Sequence, residues 1–321
     1  ATLVLANTTA GFDTLTRVIY ATRQTDRATS FTSATVVLIL ALGVVAWERS
    51  QRGRVTPDDR TATNPPPPVA LGWRTIPAVA SCVVVVLLGL VIPVASLATW
   101  AQRGISDGRV SLSELTDPAL NTTYVALAAA AFAVLAVLPI ALATTRRPHA
   151  SSSTAAVAVI VGFALPGLVI ALALAVLTLN TPVLNRFYQT TALLILAYVI
   201  HFGSQALAST EFAVRAVPEA LRESSRLLEP SPLRRLLRVD LPLMRPGLVA
   251  GAGLVMLSTV KELPATLLLA PADFSTLSTE IWASYEEGFY ASTGLASLVL
   301  IALSAVLTWF LVLRRSEILR A

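Results

Sequence analysis

The chain is poor in the residues from which most chemistry is built. It carries one cysteine and two histidines among 321 residues, and its single lysine stands at position 261. Cys82 lies inside an apolar run, so there is no disulfide framework and no cysteine cluster for a metal. His149 falls in a polar loop and His201 in an apolar segment, and no metal site is expected from them. No Gly-x4-Gly-Lys-Ser/Thr stretch occurs, which excludes a phosphate-binding loop for ATP and Mg2+. Charge is scarce as well: 13% of residues are charged, about half the share of a soluble domain.

Apolar residues are abundant, at 55%, and they gather in runs near the roughly 20 residues of a helical membrane crossing. A short run, Phe31–Trp47, extends backwards through Ser30 and Thr29. A polar stretch, Glu48–Arg74, follows with five arginines and the Pro65–Pro68 run, the composition of a partly polyproline linker. Six longer runs come next: Pro77–Trp100, Thr122–Thr144, Ala155–Leu177, Thr190–Ala208, Gly247–Ala270 and Ala291–Leu313. Pro166-Gly167 should kink the third, and Gly247-x3-Gly251 permits close packing at the start of the fifth.

The basic residues alternate from loop to loop. Arg146, Arg147, the stretch 211–246 and Arg314, Arg315 and Arg320 fall on the linker's side. The opposite loops hold two basic residues (101–121), one (180–189) and none (271–290, with four acids). The positive-inside rule makes the arginine-rich side cytoplasmic. Topology thus accounts for the net charge of +5, and nucleic acid is not an expected partner.

An internal repeat sets the organisation. Gly11–Ala21 (GFDTLTRVIYA) aligns with Asp273–Ala283 (DFSTLSTEIWA) at an offset of 262, which also carries Leu38-Ile39 onto Leu300-Ile301 and Trp47 onto Trp309. Ala1–Asn7 matches Ala265–Pro271 after a two-residue shift. The expected division is therefore 1–50 as the C-terminal end of a first transmembrane unit, 51–76 as a cytoplasmic linker, and 77–321 as a second unit of six helices. The chain opens with neither Met nor a basic leader, and residues resembling Lys261-Glu262-Leu263-Pro264 are expected to precede Ala1.

The stretch 211–246 is a polar island with seven arginines and five acids. Pro218 suits the first position of a short helix with Ala220, Leu221, Ser224, Leu227 and Leu228 on one face. Glu219/Arg222 and Glu223/Arg226 are spaced to pair along it, and Pro230 ends it. Ser231-Pro232 then starts a second short helix with Leu233, Leu236 and Leu237 opposite Arg234, Arg235 and Arg238. Both apolar stripes must pack against something.

Glu223-Ser224-Ser225, Glu229, Val239, Leu241 and Pro242 stand at the spacing E-A-A-x3-G-x9-I-x-L-P. The pattern resembles the loop that marks membrane permeases of binding-protein-dependent ABC importers. Two serines replace the alanines and stay small; Glu229 replaces the glycine. If the turn there needs positive φ, that exchange costs on the order of 1 kcal/mol. The resemblance implies an all-α polytopic transmembrane bundle: a type I ABC importer transmembrane domain of six helices, plus the last helix of a preceding unit. It further implies a bacterial inner-membrane location and a cytoplasmic ABC ATPase dimer that binds ATP and Mg2+. An extracytoplasmic substrate-binding protein completes the set. Leu221, Leu227 and Leu228 would seat in a groove of the ATPase, Glu223 would meet a basic group there, and Leu241-Pro242 would fix the exit into the next span. No catalytic residue or resident cofactor is implied for this chain.

Lys261-Glu262-Leu263-Pro264 interrupts the fifth run. A charge in mid-membrane costs roughly 2.5–3.5 kcal/mol, so it should face protein or a water-filled path. Helix neighbours do not face each other, so Lys261 and Glu262 need separate partners. Lys261, Glu262 and Pro264 are candidates for either a translocation path or a contact with the preceding unit. The segment KELPATLLLAP, with Thr276-Leu277 and Ile281-Trp282, is similar to the ferric-iron (Fbp-type) branch, in which one chain carries two fused units. Ferric iron is the cargo that branch implies; thiamine is the alternative, since similar two-unit permeases carry it. A polytopic membrane enzyme or scaffold is the competing class. Its spans would offer only Lys261, Glu262 and His201, the last with Ser204 or Ser209 but no strained nucleophile turn, and His201 is expected instead to bridge helices.

Overall fold

The computed structural model describes residues 15–22, 26–52, 72–108, 110–146, 149–229 and 231–309. The Ala1–Asn7 match, most of the linker, Arg147, Pro230 and the run's end beyond Trp309 lie outside the described residues. Among the described residues all regular structure is helical: α1 (Leu15–Thr22), α2 (Arg27–Arg52), α3 (Thr75–Ser106), α4 (Thr116–Arg146), α5 (Ala150–Ala164) and α6 (Gly167–Asn180) come first. They are followed by α7 (Thr191–Arg215), α8 (Glu219–Leu228), α9 (Pro232–Val260), α10 (Pro264–Leu269), α11 (Leu277–Glu286) and α12 (Tyr290–Thr308). Five of these are long and apolar enough to cross a membrane, and α5 with α6 makes a sixth if the bent pair is one span.

The core is the mutual packing of α4, α7 and α9. Ala126, Ala129, Ala130, Ala133 and Ala141 recur on one face of α4 and are buried, so neighbouring backbones come close. Against them lie Leu194, Tyr198, Phe202 and Ala206 of α7 and Val255 and Val260 of α9. Gly247 and Gly251 face α7, as their spacing led one to expect. A Cβ at 251 would lie 3.1 Å from Ser209 Cβ, and one at 247 would overlap Ala213. Around this core, α3 packs on α12, α11 on α12, α5 on α7 and α6 on α10.

The third apolar run is broken rather than kinked. Its halves, α5 and α6, meet at 110°. Leu165, which precedes a proline, is extended (φ −77°, ψ 139°), and Pro166 stands as the N-cap of α6. The fifth run also differs from one span over 247–270. Its helix starts earlier, at Pro232, so the second short helix of the polar island forms the first turns of α9. A π-turn at Leu236–Asp240 joins the two parts and gives room for Pro242, whose ring would meet the Arg238 carbonyl in a regular α-turn. The helix then stops at Val260, and Pro264 begins α10.

The repeat is visible in the element positions: α1 begins at Leu15 and α11 at Leu277, the same offset of 262 residues. Ile19 of α1 and Ala34 of α2 are buried against Leu168 and Val169 of α6, with Leu268 of α10 alongside.

Candidate functional site

The polar island is built on α8. Pro218 is its N-cap (φ −59°, ψ 139°), one place before the expected first helical position, and Glu219 opens the helix. Arg222 Nη2 pairs with Glu219 Oε1 at 3.2 Å, as the spacing predicts. Glu223 and Arg226 are exposed and make no ion pair among the described residues, because nothing beside them restrains two long solvated side chains. The two serines of the motif differ: Ser225 is buried while Ser224 is exposed. Each hydroxyl donates back into the helix, Ser225 to the Arg222 carbonyl at 2.7 Å and Ser224 to that of Ala220 at 2.9 Å.

The apolar stripe of α8 has no partner within the described residues. Leu227 and Leu228 are 88% and 86% exposed, and Leu221 is 42% exposed. Glu229 is the C-cap at φ −132°, ψ 96°, so the turn does not require positive φ and the exchange from glycine introduces no backbone strain. Its carboxylate instead reaches the Arg238 guanidinium at 3.6 Å, and its N–H donates to the Ser225 carbonyl at 2.9 Å. Pro232 opens α9 with no side-chain bond from Ser231. Val239 is half-buried, and Leu241 packs in a cluster with Met244, Val214, Val217 and, on α4, Leu138 and Leu142. Pro242 is exposed.

Two anchors that the sequence did not disclose tie this island to the bundle. Arg146 Nη1, in the last turn of α4, donates to Asp240 Oδ2 at 2.9 Å, and the Asp240 side chain is 3% exposed. Two residues earlier, Thr144 donates to Glu211 Oε1 at 2.8 Å, and Glu211 also holds Arg215 at 3.4 Å. Arg146 had read as a topology charge and Asp240 as one acid among five. The available signal was an isolated acid inside the apolar stretch Val239–Met244.

The second region surrounds Glu262. Tyr198 and Thr266, both fully buried, share a 2.6 Å hydrogen bond, and Thr266 Oγ1 donates to the Glu262 carbonyl at 2.7 Å. Glu262 Oε1 accepts from the Ala265 N–H at 3.2 Å. The same carboxylate lies against Gly167, at the start of α6, where a Cβ would overlap it. His201 Nδ1 donates to the Gly162 carbonyl at 3.4 Å and so bridges α7 to α5. Neither Ser204 nor Ser209 is among its partners in the described residues. Lys261 is exposed and pairs with no acid among the described residues. Tyr198 sits seven residues into α7, about 10 Å from the end opposite α8, so this cluster lies in the half of the span away from α8. Leu168, Val169 and Leu268, which receive α1 and α2, adjoin it.

Residues 136–316, more than half of the chain, match the family model for the binding-protein-dependent transport system inner membrane component. The chain belongs to that family. It is a multi-pass membrane protein of the ABC permease type. This inner membrane component is 28% identical over 222 residues to the Fe(3+)-transport system permease protein FbpB 2 of Haemophilus influenzae. The match takes in 68% of this chain and 43% of that relative, so the chain spans less than half of the relative's length. Its fold resembles a chain in the crystal structure of a bacterial alginate ABC transporter bound to its periplasmic protein. There the TM-score is 0.59 at 14% identity, with 74% of this chain and 92% of that chain covered. An inward-facing MetNI methionine ABC transporter aligns at a TM-score of 0.49 and 18% identity, over 66% of this chain and 98% of that one.

Proposed function

We propose that this chain forms part of the permease of an ATP-driven importer, that α8 is where a separate ATPase engages it, and that the cargo is ferric iron. The observation that carries the docking assignment is the exposed stripe of Leu221, Leu227 and Leu228 on a helix whose base is anchored at both ends. Exposed leucines on a charged loop face neither lipid nor core, and a groove on a partner would cover them. Ser224 and Ser225 allow close approach, Glu223 offers a free carboxylate to a basic group, and Glu229, Val239, Leu241 and Pro242 hold the exit into α9. ATP and Mg2+ belong to the partner ATPase dimer, and a substrate-binding protein delivers cargo at the opposite face. The arginine distribution supports a cytoplasmic α8.

Residues 1–50 are assigned to the end of a first unit, 51–76 to a linker and 77–321 to a second unit, a division supported by the matching starts of α1 and α11. Lys261, Glu262 and Pro264 stand beside the surface that receives α1 and α2, which supports a contact between units at the edge of the path. Iron rests on the FbpB relative. The paired change Leu227→Asp with Leu228→Asp should leave a folded membrane protein that no longer co-purifies with its ATPase; undiminished co-purification would refute the docking assignment. A rise in melting temperature of the cognate binding protein with ferric iron supports the cargo, whereas a rise with thiamine replaces it.

A further inference from the structure

The last turn of α4 holds both ends of the polar island: Thr144 holds Glu211 at the end of α7, and Arg146 holds Asp240 at the start of α9. Displacement of α8 relative to the bundle therefore bears on these two contacts, together with the apolar packing of Val214, Val217, Leu241 and Met244 on Leu138 and Leu142. The Arg146–Asp240 contact is half made. One bond of 2.9 Å joins Nη1 to Oδ2, while Arg146 Nε and Nη2 and Asp240 Oδ1, all buried, have no partner among the described residues. An arginine and a carboxylate can form two parallel bonds, and a buried polar group left unpaired is unfavourable. Here the unpaired donors and the unpaired acceptor sit on the same two side chains, so each is the natural complement of the other. A small slide of the π-turn over the end of α4 would bring them together. The π-turn, with its extra residue per turn, is a place where α9 can take up such a slide.

We propose that Arg146 and Asp240 are positioning residues for transport, a joint that carries movement of α8 into α4 by passing from one hydrogen bond to a closed two-bond fork. This rests on the importer reading. In the closed state α4 moves with the start of α9, and with α4 moves the alanine face on which α7 and α9 pack. In the single-bond state shown here, the start of α9 can shift against the last turn of α4 without breaking the ion pair.

The test uses the full-length permease with its ATPase and binding protein in proteoliposomes, with radiolabelled ferric iron as the probe. Arg146→Lys keeps the charge and one bond but removes the fork. The paired change Arg146→Met with Asp240→Leu removes every buried polar group and keeps apolar packing, so a purely structural role is satisfied by it. The proposal expects both to bind the ATPase and hydrolyse ATP. Iron taken up per ATP should fall about five-fold or more, the lower end of typical coupling between sites. Should Arg146→Lys fail to fold, the paired apolar variant decides. Wild-type-like uptake per ATP in the folded apolar pair overturns the joint. Wild-type vesicles that take up neither ferric iron nor thiamine with ATP overturn the importer reading and the joint with it, whereas thiamine uptake alone moves the same comparison to that cargo.

Discussion

The packing of α9 on α7 predicts a graded response to one added methyl group. At Gly43 in α2, a Cβ meets nothing within 4 Å. Alanine there should stabilise by roughly 0.5–1 kcal/mol through the lower backbone entropy of the unfolded chain. At Gly251 the nearest atoms are Ser209 Cβ at 3.1 Å and the Ala206 Cα and carbonyl oxygen at 3.3 Å. Those contacts are a few tenths of an ångström tight, and the loss should roughly balance the same gain. At Gly247 the added carbon overlaps Ala213 Cβ and lies 3.2 Å from Ala213 Cα and the Ser209 carbonyl oxygen. An alanine methyl cannot rotate away, so α9 must lift off α7. Overpacking of this kind costs about 1–3 kcal/mol, which leaves a net loss of up to about 2.5 kcal/mol after the entropic gain. At roughly 2–4 °C per kcal/mol, Gly247→Ala should melt below wild type by up to about 10 °C. Thermal unfolding of the three variants in one detergent, followed by tryptophan fluorescence and size exclusion, measures the order. The expected ranking is Gly43→Ala highest, Gly251→Ala near wild type and Gly247→Ala lowest. A Gly247→Ala protein that melts at or above wild type would refute the close approach of the two helices.

Two further outcomes follow from single contacts. Glu229→Gly relieves no strain, since φ is −132°, and it adds backbone freedom while removing the Arg238 partner. It should lower local stability by roughly 1 kcal/mol and speed limited proteolysis between α8 and α9; slower cleavage would contradict it. Tyr198→Phe removes the buried donor to Thr266, because the Thr266 hydroxyl already gives its only hydrogen to the Glu262 carbonyl. A loss of about 1 kcal/mol and a melting point roughly 2–4 °C lower are expected, and an unchanged melting point would place the bond elsewhere.

The sequence made some of this legible and hid the rest for physical reasons. Crossing helices were readable because a hydrocarbon layer demands long apolar runs, and the motif at Glu223–Pro242 was readable because its spacing survives exchange of individual residues. The depth of the break at Pro166 was not, since one proline is compatible with a kink or with a full stop, and only neighbouring helices decide. The union of the second short helix with α9 was hidden for a related reason: the sequence places Pro242 and Pro246 between the two, yet Pro242 follows a π-turn in a first-turn position and Pro246 is carried inside the helix. The Arg146–Asp240 contact joins residues far apart in the chain, and local periodicity contains no trace of such a pair. Glu229 read as a strained exchange because the family glycine suggested positive φ, whereas its backbone is extended.

The uneven burial of the helices has a consequence for how the protein is made. Residues 75–91 of α3 include no buried position, so that helix can leave the translocation machinery without a partner from the described residues. Helix α7 cannot: half of its apolar window is buried, and Gln205 accepts a hydrogen bond from Ser258 of α9 at 2.9 Å. Until α9 is synthesised, that amide would sit in hydrocarbon with no partner, which is unfavourable. Helix α4 precedes both in the chain and carries the alanine face to which both bind. It is thus an assembly guide, in place in the membrane before the two helices that need it.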